Sequence, residues 1–324
     1  MGRYEVNTPA DNTEHFVTLF DTSYLPLGMA LHRSLERHAQ PFHLWIICMD
    51  ERVEQQLARL ALPHISLLPL REVETPELLA VKAGRTRGEY CWTLTPFASR
   101  FVFERMPDLP RVTYLDADLF FFDDPRQLLS ELDASGKQVL MTEHAFAPEY
   151  DKGLPNGRFC VQFLTFCNAG LGRRVMEWWG ERCLEWCFAR SEDGKFGDQK
   201  YLDSWPELFA DAVHIVQQRD RTLAPWNVRH VELQLGERMK PVCYHFHSLR
   251  IIAADKVLLY YRYRIGKRGL RLYGDYAEEL RIICCELRQQ GFEVPFIAPD
   301  RETWPLVRLI RRKLAGIIRY QKLT

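Results

Sequence analysis

The chain reads as an α/β protein on a largely parallel sheet, and three features of its N-terminal part predict this. Apolar runs of strand length stand at residues 15–20 (HFVTLF) and 43–49 (HLWIICM). Stretches with helical spacing follow each of them, at 24–38 (YLPLGMALHRSLERH) and 51–60 (ERVEQQLARL). Short links join these segments, and strands connected through helices run parallel in one sheet.

Taken in order, the first run leads into the polar loop Asp21-Thr22-Ser23, and the next segment puts Leu27, Ala30, Leu31 and Leu35 on one helical face. Ligands of such sheets sit beyond the carboxyl ends of the strands, where Asp21 falls. A helix is expected from about 93 to 105, then Pro107 and Pro110, then a strand at 111–115 (RVTYL) that ends on Asp116. Further strands are expected at 137–143 and 158–167, and a helix at 171–189 with Trp178, Trp179, Cys183 and Trp186 as an apolar stripe. Such a stripe is core more often than a sugar platform. A short helix opens near Asp198, and 241–247 (PVCYHFH) is a last strand carrying two histidines. The chain then turns basic, which divides it into a motif-bearing domain, 1–250, and a basic, mainly helical extension, 251–324.

Lys+Arg and Asp+Glu both number 43, so no basic excess suits the chain to nucleic acid. Nine cysteines, an odd count and mostly within apolar stretches, point to reduced thiols and a cytoplasmic location. The N-terminal stretch is polar and lacks an apolar signal core.

The strongest local signal is YLDADLFFFDDP at 114–125. A strand ends in two carboxylates one residue apart, and side chains i and i+2 share a face in extended chain, so Asp116 and Asp118 can converge on one ion. Two hard anionic ligands suit Mn2+ or Mg2+, which completes its shell with phosphate and water. The bland alternative is that the acids cap a loop. His245 and His247 share a strand face by the same period of two and are candidates for a third ligand.

FDTSY (20–24), YLDAD (114–118), FCNAG (166–170), DQKYLD (198–203) and HFHS (245–248) stand in the order of the retaining GT-A glycosyltransferases of family 8, which the chain resembles over about residues 15–250. That family includes bacterial lipopolysaccharide galactosyl- and glucosyltransferases. The resemblance implies a Rossmann-like nucleotide-diphospho-sugar transferase domain. It also implies Mn2+- or Mg2+-dependent transfer of a hexose, with retention, from a sugar nucleotide such as a UDP-sugar to lipopolysaccharide or another surface glycan or glycolipid. By the same resemblance Asp21 reads the nucleobase and Tyr24 lies near the base or ribose. Asp116 and Asp118 bind the cation with His245 as third ligand. Arg100 contacts the donor, while Asn168, Asp198 and Gln199 line the sugar pocket, Gln199 near the anomeric carbon. Two departures stand out: Ser248 occupies the glycine of H-x-x-G, and the K-P-W that follows in the family is missing, with Arg250 or Lys256 in place of its phosphate-binding lysine.

Residues 307–322 (VRLIRRKLAGIIRYQK) are expected to form a basic amphipathic helix, either an anchor on the inner face of an anionic membrane or a helix packed on the domain. A haloacid-dehalogenase-type phosphatase also carries D-x-D after a strand, but near its N-terminus and with a small or β-branched residue where Phe120 stands. A sugar-nucleotide-binding protein without turnover is the remaining alternative.

Overall fold

The computed structural model of the protein describes residues 12–151, 156–297, 316 and 318–323. Strands and helices alternate from the start: β1 (Glu14–Phe20), α1 (Leu25–His38), β2 (Phe42–Cys48), α2 (Glu51–Leu60) and β3 (Ile65–Pro69). Two short helices, α3 (Leu70–Val73) and α4 (Pro76–Lys82), precede the long α5 (Arg87–Arg105), which feeds β4 (Arg111–Leu115). Helix α5 begins well before residue 93 because Thr86 and Glu89 form a reciprocal capping box that closes its first turn. The chain continues through β5 (Leu119–Phe121), α6 (Arg126–Ser135), β6 (Val139–Glu143), β7 (Phe159–Cys167), α7 (Gly170–Glu185), α8 (Trp205–Leu208) and β8 (Val213–Ile215). It ends with β9 (Thr222–Leu223), α9 (Val228–Leu235), β10 (Cys243–His245), β11 (Arg250–Ala253), β12 (Lys256–Tyr261), α10 (Lys267–Gln289) and β13 (Ile318–Lys322).

The main sheet has the order β3-β2-β1-β4-β7-β6-β8. β3, β2, β1 and β4 run parallel, β7 opposes both its neighbours, and β6 and β8 are parallel to each other. Both faces are buried, as helical crossovers require. On β1, Phe16 and Phe20 join the core under α1, whereas Val17 and Leu19 join the core under α5 and α7. Gly28 lets α1 lie on the sheet, since a Cβ there would stand 2.4 Å from the Phe20 ring.

Beyond residue 250 the chain first forms the β11–β12 hairpin and then the 23-residue α10. Tyr273, Tyr276, Leu280, Ile283 and Leu287 of α10 are buried in the same core as α1. Arg33 and Arg37 of α1 meet Glu279 of α10 at 3.2 and 2.6 Å.

The amphipathic helix expected over 307–322 is corrected at its end, where Ile318–Lys322 is strand β13, antiparallel to β12. Five residues cannot separate a period of 3.6 from one of two, and the open edge of β12 supplies the ladder hydrogen bonds. The rest of that segment lies outside the described residues, apart from Gly316. No helix among the described residues is long and apolar enough to cross a membrane.

Candidate active site

Because β1 and β4 are parallel neighbours, the loops that follow them open on one edge of the sheet. Asp21 leaves β1 there and Asp116 leaves β4. The segment Asp116-Ala117-Asp118 is a turn rather than extended chain, closed by the Leu119 N–H donating to the Asp116 carbonyl at 3.1 Å. The two carboxylates therefore converge through the turn, not through the period of a strand. β5 begins at once and pairs antiparallel with β10, setting His245 opposite Leu119, and the Phe246 N–H donates to the Asp118 carbonyl at 2.9 Å. That ladder carries a residue far along the chain to the aspartates.

His245 Nε2 lies 3.1 Å from Asp118 Oδ1 and 3.7 Å from Asp116 Oδ2. One donor atom from each of the three side chains falls within 4.8 Å of the others, a grouping that could hold a metal ion. Two carboxylate oxygens and an imidazole suit a divalent cation. Burial pushes the Asp116 carboxyl up to about 7. Burial also opposes ionisation of Asp118, yet the adjacent His245 charge and hydrogen bond hold it below the usual carboxylate range. His247 stands outside the cluster, its ring 5.6 Å from that of His245. Trp226 packs at 5.5 Å against both histidines, and its indole N–H donates to the His144 carbonyl at 2.7 Å.

The cluster forms part of the wall of a cavity of about 680 Å³, to which Asp21, Tyr24, Asp198, Gln199 and Arg250 also contribute. Asp21 is already engaged: Oδ1 accepts from the Ser23 N–H at 2.8 Å, and Arg87 Nε meets Oδ2 at 2.8 Å. The Arg250 guanidinium lies 5.1 Å over the Tyr24 ring. Lys256 instead sits over Tyr320 and has no part in the cavity wall. Asp198 is 3% exposed, and among the described residues its Oδ2 has no hydrogen-bond partner. Burial, with the Asp116 charge beside it, pushes its carboxyl up to about 8. Trp179, one of the expected apolar stripe, is fully buried and donates its indole N–H to the Asp198 carbonyl at 2.8 Å. Gln199 donates Nε2 to the Asn156 carbonyl at 2.7 Å, which leaves Oε1 for the cavity.

Two expected residues are elsewhere. Asn168 follows β7, whose direction is reversed, so it emerges at the opposite edge, beside the start of β4. There it donates to the Pro107 carbonyl and accepts from Arg173, each at 2.7 Å. Gly172, two residues beyond that motif, serves packing: a Cβ there would stand 2.4 Å from the Cys167 carbonyl oxygen. Arg100 points to solvent and pairs with Glu104 at 2.8 Å. The cavity face of α5 is formed by Arg87, Cys91 and Thr95, four residues apart, with Trp92 beside them. None of these was singled out from sequence, although the capping box at Thr86 marks where that helical face begins.

Over 266 residues the chain is 30% identical to the uncharacterised protein YfnD of Bacillus subtilis strain 168, covering 78% of this chain and 84% of YfnD. It is 32% identical over 258 residues to YfnF of the same organism, covering 76% and 84%. The chain belongs to the family of YfnD and YfnF. No protein-family profile matches it. Among solved structures, this YfnD/YfnF-family chain is similar to the galactosyltransferase LgtC in complex with donor and acceptor sugar analogues, with a TM-score of 0.51 and 14% identity, over 81% of this chain and 95% of LgtC. The fold is of the GT-A type.

Proposed function

We propose that the chain transfers a hexosyl group from a nucleoside-diphosphate sugar, in the first instance a UDP-sugar, to a hydroxyl of a surface glycan or glycolipid, with Mn2+ or Mg2+ and with retention. The observation that carries this reading is the grouping of Asp116, Asp118 and His245 at the carboxyl ends of β1 and β4, inside a cavity of about 680 Å³ on a GT-A frame. A bound cation would supply positive charge where the departing diphosphate gathers negative charge.

The side chains divide the remaining work. Tyr24 and Asp21 offer an aromatic face and a carboxylate to the nucleoside, and Arg87 shares the Asp21 edge. Arg250 brings a fixed positive charge to the diphosphate side of the cation. Asp198, through its unpaired Oδ2, and Gln199, through Oε1, face the sugar. The anomeric carbon–oxygen bond breaks as the acceptor oxygen bonds on the same face, and the acceptor proton passes to the departing phosphate. None of the acids named here is assigned as a covalent nucleophile.

Thermal shift with UDP-, GDP- and CMP-sugars in Mn2+ tests this, because a ligand that binds only the native state raises the melting temperature. One sugar nucleotide should stabilise the protein only with a divalent cation, and that sugar nucleotide should be slowly hydrolysed without acceptor. A cation-dependent shift with no turnover on any acceptor would mark a binding protein instead. No shift with any sugar nucleotide would sink the reading altogether.

A further inference from the structure

A second cavity, of about 480 Å³, is lined by Glu149, Tyr150, Arg229, Arg262 and Arg264. Its charge is lopsided. Arg229 lies 3.5 Å from Glu149, and among the described residues neither Arg262 nor Arg264 forms an ion pair. Arg262 is held at φ +73°, a left-handed conformation disfavoured for any residue with a Cβ, in the chain between β12 and α10. The Tyr150 hydroxyl accepts from the Arg264 N–H at 2.8 Å, which fixes that chain to the cavity wall.

The two cavities meet at an aromatic pair. Tyr150 lines the second, Tyr263 lines the first, and their rings stand 5.1 Å apart. Tyr263 continues to Trp226 at 6.2 Å, and Trp226 packs on His245. An aromatic wall thus runs from the carboxylate–histidine cluster to the arginines, a surface suited to sugar faces. Guanidinium groups recognise carboxylate and phosphate through paired hydrogen bonds, whereas a neutral sugar would leave two of them without a counter-charge.

We infer that this cavity is an acceptor-side subsite for an anionic group, a carboxylate or phosphate carried by the saccharide that receives the sugar. The word acceptor rests on the transferase reading; the anion preference does not.

The test compares glucose 6-phosphate and galacturonic acid with glucose by calorimetric titration in EDTA. Wild type, the exposed double variant Arg262→Gln/Arg264→Gln, and Arg250→Gln as a control for the first cavity are titrated side by side. Both anionic sugars should bind at least tenfold tighter than glucose, and the double variant should lose that difference while Arg250→Gln keeps it. Equal binding of glucose, an unchanged double variant, or loss only in Arg250→Gln overturns the proposal. So does a double variant that releases phosphatidylglycerol vesicles yet keeps its anionic-sugar affinity, because the arginines would then face a membrane. UDP with Mn2+ should stabilise wild type and double variant alike. Absence of that shift in wild type would fell the transferase reading, while the titration still decides the anion site.

Discussion

The strands of the main sheet treat the same kind of sequence signal in opposite ways according to their direction, and β7 runs against all its companions. In the parallel half, β3-β2-β1-β4, a polar residue just after a strand arrives at the cavity edge, as Asp21 and Asp116 do. In the other half β6 keeps the direction of β4 and brings His144, just after it, to the cavity, whereas β7 is reversed, so the residue after it, Asn168, lands on the far edge. There the cavity is approached from the start of the strand, where Asn156 and Cys160 contribute to its wall. A motif that reads "strand, then polar turn" therefore names a site only once the strand direction is known.

The largest expected effect tests the parallel half. Asp118→Asn should remove cation-dependent sugar-nucleotide binding and lower turnover by about 10³-fold, about 4 kcal/mol of transition-state stabilisation. The melting temperature without cation should fall modestly, since the change removes the Asp118 charge that faces His245 at 3.1 Å and offsets this only in part by relieving repulsion with Asp116. Full turnover of this variant at low Mn2+ would remove the metal assignment. EDTA should mimic the variant in wild type, and added Mn2+ should restore wild type alone.

Next in size is a change that reaches the site from the core. Trp179→Phe deletes the indole N–H that holds the Asp198 carbonyl at 2.8 Å. Leaving that buried carbonyl without its partner should cost about 2 kcal/mol of stability. If Trp179 positions Asp198, turnover should also fall about tenfold with sugar-nucleotide affinity nearly kept, an extra barrier of about 1.4 kcal/mol. A stability loss with unchanged turnover would reduce Trp179 to packing alone.

The legible parts of the molecule were those governed by local rules. The strands at β1, β2 and β4, the helices α1 and α2, and the carboxylates at Asp116 and Asp118 follow from hydrophobic period and short spacing. His245 was legible as a candidate, but its delivery depends on the β5–β10 ladder, which no local pattern contains. The rest of the cavity wall was less legible because it combines segments distant in sequence: Arg87, Trp92 and Thr95 from α5, Asp198 and Gln199 after α7, and Trp226. Ser248 shows the limit of motif reading from the other side. It adopts φ +69°, the left-handed region that favours glycine, the residue the resemblance leads one to expect there.

Asn168→Ala probes the reversed strand, β7. It should cost about 1 kcal/mol, from the lost Pro107 and Arg173 hydrogen bonds, and leave kcat/KM within about twofold. A fall in kcat/KM of about tenfold or more with the fold intact would mean that the far edge of β7 acts on the donor after all.

The smallest effect is expected at Arg100, and it sharpens the contrast within one helix. Arg100 and Arg87 both lie on α5, yet 13 positions put them on different faces, one toward Glu104 in solvent and the other on Asp21 in the cavity. Arg100→Ala removes a pair whose partners are 45% and 54% exposed, so stability should change by no more than about 0.5 kcal/mol and kcat/KM not at all. Arg87→Ala should instead raise KM for the sugar nucleotide, because Asp21 loses the cation that orients it. If the two variants behaved alike, the helical face assigned to the cavity would be wrong, since only the orientation of α5 separates them.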